Sequence, residues 1–142
     1  MRQLLDLEQY PIHNLDSVRC QALIKACKVN LDKDGIFSLK GFMRPEAVAE
    51  CVAEVHPLTV NESFTHKRKH NIYFHDNLPG IAADHPALMH SETINHTVCA
   101  DQMPNSLVCR LYEWQPFIDF LAAVMDKTIL YQMADPLARV NV

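Results

Sequence analysis

Eight histidines are the residues best able to do chemistry in this chain: His13, His56, His66, His70, His75, His85, His90 and His96. A neutral imidazole ligates metals and moves protons near neutral pH. Only His90-Ser91-Glu92 has the spacing of a His-x-carboxylate pair, and no histidine follows His96 to supply a distal third ligand. That pair falls in a stretch read as helix, where residues two apart diverge. His66 and His70 are four apart and would share a helix face, but the Thr, Tyr and Phe around them argue against a helix. Lys67, Arg68 and Lys69 between them would also repel a divalent ion. The sequence therefore predicts no metal site and no catalytic residue; the histidines read as solvated or hydrogen-bonded.

The run His66-Lys67-Arg68-Lys69-His70 has two readings. One is an exposed loop. The other is a site where Arg68 or His70 meets the carboxylate of a small acidic or amino-acid ligand, which a planar guanidinium can hold with two hydrogen bonds. Nucleophilic catalysis has no support: there is no Gly-x-Ser-x-Gly, and no cysteine lies in an activating context. Cys20, Cys27, Cys51, Cys99 and Cys109 are odd in number, form no Cys-x-x-Cys, and read as buried small hydrophobes.

Hydrophobic residues make up 49% of the 142 and charged ones 21%, which suits one folded domain over residues 1–142 and not a disordered chain. A formal charge of −4 offers no general attraction to nucleic acid or to an anionic membrane. No stretch approaches the ~20 apolar residues of a bilayer span. The acids in the first residues argue against a signal peptide, so a cytoplasmic location is expected. Outside secretion, the sequons at Asn61 and Asn95 carry no meaning.

Few glycines and eight prolines punctuate the chain. Residues 1–15 read as an irregular arm. Asp16 or Ser17 caps a helix over 17–31, with Val18, Ala22, Leu23, Ala26, Cys27 and Val29 or Asn30 on its apolar face, and Asp32 to Gly35 stops it. A strand is predicted over 36–39, then a helix over 45–56 opened by Pro45, with Val48, Val52 and Val55 inward and Pro57 as its end. Residues 58–84 are the least regular, with strand character around 71–74 and a turn over 76–80. Further expectations are a helix from 85 to 101, a strand over 107–112, a helix over 116–125 with Phe117, Phe120, Leu121 and Val124 inward, and a strand over 128–131. Tyr112, Trp114, Phe117 and Phe120 read as core and not as a binding box. The tail 137–142 alternates apolar and polar residues as a strand does, and the sequence stops inside that pattern, which favours an interrupted sheet over a genuine last strand.

Three segments carry a resemblance. Asp34 to Glu46, with Gly41-Phe42-Met43-Arg44-Pro45-Glu46 at its end, resembles the opening strand and supporting helix of Fe(II)/2-oxoglutarate-dependent oxygenases. Glu62 to Phe74 and Leu130 to Val142 resemble a bacterial branch of that family related to enzymes that hydroxylate or halogenate free amino acids. The resemblance covers about residues 10–142. It implies an α+β chain made of the N-terminal helices and first strands of a double-stranded β-helix (jelly-roll, cupin-like), incomplete and ending before the His-x-Asp iron motif. Fe(II) and 2-oxoglutarate would then be cofactors of the full-length relative and not of this chain, which would not turn over alone. The resemblance also implies a substrate pocket drawing on Arg68, His70 and Asn71 and on Asp135, which would face a substrate amine or else cap the turn at Pro136. Two other readings stay open: a free-standing module binding an amino acid or carboxylate, and an interaction domain that oligomerises through an unpaired sheet edge.

Overall fold

Residues 1–142 are described by a computed structural model. Helix α1 runs Val18–Asp34. Ser17 caps it by accepting the Cys20 N–H at 3.2 Å, and Gly35, at φ 70°, closes it by donating to the Leu31 carbonyl. The buried stripe is Cys20, Ile24 and Cys27, backed by Leu23 and Leu31. This corrects the expected face: Val18 and Val29 point to solvent, because Ile24 sets the phase of the helix. Helix α2 spans Pro45–Asn61 and runs through Pro57 instead of ending there. Pro57 has no N–H for the Ala53 carbonyl, but Ala53 is exposed, so water can serve that carbonyl. The last turn is held by Thr59 donating to the Val55 carbonyl and Asn61 to that of Pro57. Ala47 and Val55 are buried, whereas Val48 and Val52 are exposed, contrary to the expected face.

Strand β1 is Phe64–His70 and pairs antiparallel with β2, Ser91–Thr97, from Phe64 opposite Thr97 to His70 opposite Ser91. The strand therefore lies earlier than 71–74. The expected helix over 85–101 is a single 3-10 turn, Pro86–Leu88, followed by β2, whose Thr93, Ile94 and Thr97 favour extended backbone. Residues 107–112 form helix α3 and not a strand: Ser106 accepts the Cys109 N–H, a cap placed directly before the apolar run. Helix α4, Gln115–Val124, stands where it is expected, with Phe120 and Val124 buried and Phe117 and Leu121 packed against the same cluster. Residues 36–39 and 128–131 are not strands, and the tail makes only the bridge of Asn141 to Cys99.

The arm 1–15 is irregular but central. Leu5, Leu7, Tyr10 and Ile12 are buried with α1 and α4 in the larger core. It is tied to residues 40–44 by Asp6 N–H to the Phe42 carbonyl, Arg44 N–H to that of Leu4, and the Tyr10 hydroxyl to that of Lys40. A smaller core joins Val55 of α2, Val98, Ala100, Met103 and Cys109 of α3, with Val140 of the tail against it. The elements are helices plus one two-stranded antiparallel sheet, an α+β arrangement, and they do not by themselves form a jelly roll. No helix is long and apolar enough to cross a membrane.

All five cysteines are free, and four are buried. Burial pushes the Cys20 thiol up; it does the same for Cys27, with Cys20 adding to the effect. A thiol whose pKa is raised by folding keeps its proton longer in the native state than in the unfolded one. Its contribution to stability is whole below the unfolded thiol value, about 8.5, and falls as pH rises above it. Urea melts should therefore show stability dropping from pH 8 to 10 more steeply for this chain than for its Cys20→Ala/Cys27→Ala variant; parallel slopes would refute the assignment.

Candidate functional site

The β1–β2 ribbon leads into the long connection 71–90, and the junction is organised by Asn71, only 2% exposed. Its Oδ1 accepts the Tyr73 N–H at 3.0 Å and the His75 N–H at 3.3 Å, and its Nδ2 donates to the His75 carbonyl at 2.6 Å. The amide so closes a tight turn on itself. Phe74, at φ 56°, sits at the tip of that turn. Its ring stacks on His70, with centroids 4.7 Å apart and planes at 18°, and the Arg68 guanidinium lies 4.6 Å over it.

His70 Nδ1 lies 3.0 Å from the Asn71 carbonyl, which can only accept, so Nδ1 carries the proton. Its Nε2 faces the Thr93 hydroxyl at 3.4 Å. Lys67 pairs with Glu92 at 2.9 Å, but Arg68 has no carboxylate within ion-pair distance. A guanidinium held against an aromatic face keeps N–H donors free for a carboxylate. Arg68, His70 and Asn71 are thus brought together.

Asp135 is placed elsewhere. Its carboxylate accepts the Leu137 N–H at 2.9 Å, and its carbonyl accepts those of Ala138 and Arg139, which makes it the cap of the tail turn. Arg139 in turn donates to Glu113 at 2.7 Å, and the Tyr112 hydroxyl accepts the Met133 N–H. The sequence reading missed Phe74 and Thr93. The stretch 71–74 reads as strand, and nothing in it tells that Asn71 turns the chain so that Phe74 returns over β1.

His90-Ser91-Glu92 leads into a strand and not the expected helix, so helix geometry is not what separates its ends. They are drawn to different partners: His90 Nε2 sits 3.0 Å from Asp76, and Glu92 goes to Lys67. No three His, Cys, Asp or Glu side chains gather closely enough to hold a metal ion. The most apolar concavity, about 250 Å³, lies on α2 between Cys51, Val55, His56, Thr59, Val108 and Val142. Burial first, then Glu54 and Glu50, push the Cys51 thiol up against the opposing pull of Arg110, so it is a poor nucleophile.

No family model, curated protein or solved structure matches the chain. Function therefore has to be argued from its own residues.

Proposed function

We propose that the chain is the N-terminal, substrate-facing portion of an Fe(II)/2-oxoglutarate-dependent oxygenase that acts on a small amino-acid-like molecule in its full-length form. The observation that carries this reading is surface. The chain exposes 9855 Å² and buries only 22 of its 142 residues. A closed globular protein of its 16.2 kDa would expose about 7,500 Å². The excess of roughly 2,400 Å² is what an extensive, permanent interface covers. It includes Val48, Val52, Phe64, Ile94 and Ile129, all more than two-fifths exposed. The first strands of a double-stranded β-helix, waiting for the strands that bury them, would look this way.

Within that reading Arg68 holds the substrate carboxylate, His70 flanks it, and Asn71 fixes the turn that presents Phe74 beneath the guanidinium. The iron ligands then belong to the rest of the full-length relative; here His90 pairs with Asp76 and Glu92 with Lys67. No step of the reaction is assigned to this chain.

The purified chain, given Fe(II), 2-oxoglutarate and a panel of free amino acids, should form no succinate above a no-protein control. Stoichiometric iron binding with 2-oxoglutarate consumption would overturn the proposal. The free-standing binding module draws on the unpaired Arg68 as well. A monomer whose melting point is raised by an amino acid, and no longer raised in Arg68→Ala, would favour that second reading.

A further inference from the structure

The β1–β2 ribbon is exposed on both faces, and its two long edges differ. A lone two-stranded ribbon is marginal in water and gains from a third strand. The edge of β1 carries Lys67, Arg68 and Lys69 in succession, a charge pattern that repels strand pairing. The edge of β2, Ser91-Glu92-Thr93-Ile94-Asn95-His96-Thr97, carries one acid and no Lys or Arg.

Hydrogen bonding shows which groups of β2 point outward. No bond joins residue 63 to 98 or 71 to 90, so the ladder ends on hydrogen-bonded pairs, and the odd-numbered residues of β2 turn their N–H and C=O toward β1. The even-numbered ones face away. Val98 follows the same alternation and uses its outward groups on Val142, at 2.8 and 3.0 Å. Those of Glu92, Ile94 and His96 have no backbone partner.

We propose that this edge pairs with the β2 of a second copy of the chain, antiparallel about a two-fold axis at Ile94. In that register Ile94 meets Ile94, Thr93 meets Asn95, and Glu92 meets His96 twice. The hydrogen-bonded pairs fall on Glu92, Ile94 and His96, the residues whose outward groups are free. Ile94, 51% exposed in the single chain, gains an apolar neighbour, and each acid faces an imidazole. Val142 is bonded to Val98, just outside β2, so the pairing is confined to Ser91–Thr97 of each copy. The resulting sheet runs β1-β2-β2-β1, with the three-cation edges outermost. Those edges stop further addition, so the pairing closes at a dimer and builds no fibre. The inference is made for the 142-residue chain by itself; in the oxygenase reading the strands of the full-length relative would cover Ile94 instead, and that reading is judged separately, by turnover.

The test is light scattering over a concentration series, with Ile94→Glu and Ile94→Lys beside the unaltered chain. In its own hairpin residue 94 lies opposite Lys67, so glutamate there suits the ribbon while placing like charges across the two-fold axis. The unaltered chain should approach twice its monomer mass, and Ile94→Glu should weaken assembly by about tenfold or more. Mixing Ile94→Glu with Ile94→Lys should restore it, and the amides of Glu92, Ile94 and His96 should be protected from hydrogen exchange only where a dimer forms. A monomer at every concentration, or assembly untouched by Ile94→Glu, would overturn the proposal; the second result would assign association to another surface, such as the α2 groove.

Discussion

Phe120→Ala should cost about 3–5 kcal/mol and lower the melting temperature by roughly 10–20 °C. Phe120 is fully buried on α4, where it meets Phe37 edge-on at 6.4 Å and packs with the arm and α1. Three elements lose their common neighbour at once. The arm is irregular but pinned by its own turns and by bonds to residues 40–44, and cannot move in to fill the space. Domains of this kind are stable by only about 5–15 kcal/mol, so the loss removes much of the total. Urea unfolding followed by circular dichroism should show a lower midpoint with an unchanged slope. A loss below about 1 kcal/mol would mean that the arm does not pack on Phe120 in solution.

Asn71→Ala should undo the Arg68–Phe74–His70 platform while sparing the larger core. The substitution strips partners from the Tyr73 and His75 N–H groups and from the His75 carbonyl, at a cost of about 1–3 kcal/mol confined to the ribbon end. Amides of 73–75 should exchange much faster, and the His70 ring should lose the upfield shift that stacking on Phe74 gives its protons. Amides of α1 and α4 should be unchanged. Asn71→Asp keeps the acceptor but not the donor, so it should retain the Tyr73 and His75 N–H bonds and lose only part of the effect. If the His70 ring signals in Asn71→Ala stay where they were, the turn is not what positions Phe74.

The legible parts of the sequence were those where local chemistry and burial agree. Ser17 with Gly35, and Pro116 with Phe120 and Val124, set the ends or faces of α1 and α4 by rules that act within a turn or two. The errors arose where distant contacts decide. Leu107 to Tyr112 is apolar and suits either state; Ser106 and the packing of Cys109 against Val98 and Met103 tip it to helix. Ser91 to Thr97 was given to a helix because His85-Pro86 looked like a start, yet its β-branched residues are paired with β1. The arm reads only as irregular because it has no period, but Leu5, Leu7 and Ile12 share a core with α1, α4, Leu39, Phe42 and Met43, a relation no window of neighbours contains. At the platform, Arg68, His70 and Asn71 could be named from their types, whereas Phe74 enters only through the turn that Asn71 makes.

The large core joins the first dozen residues and α1 to α4, so Leu5 and Ile12 meet Phe120 and Val124 across most of the intervening sequence. A ribosome releases Leu5 and Ile12 long before Phe120 and Val124 exist to receive them. During that interval the arm and the inner stripe of α1 have only one another to cover them, and closing so long a loop is slow compared with forming either helix. The nascent chain therefore carries Leu5, Leu7 and Ile12 without their partners on α4 until Phe120 and Val124 have been added. That is the window in which a holding chaperone would decide how much of it survives.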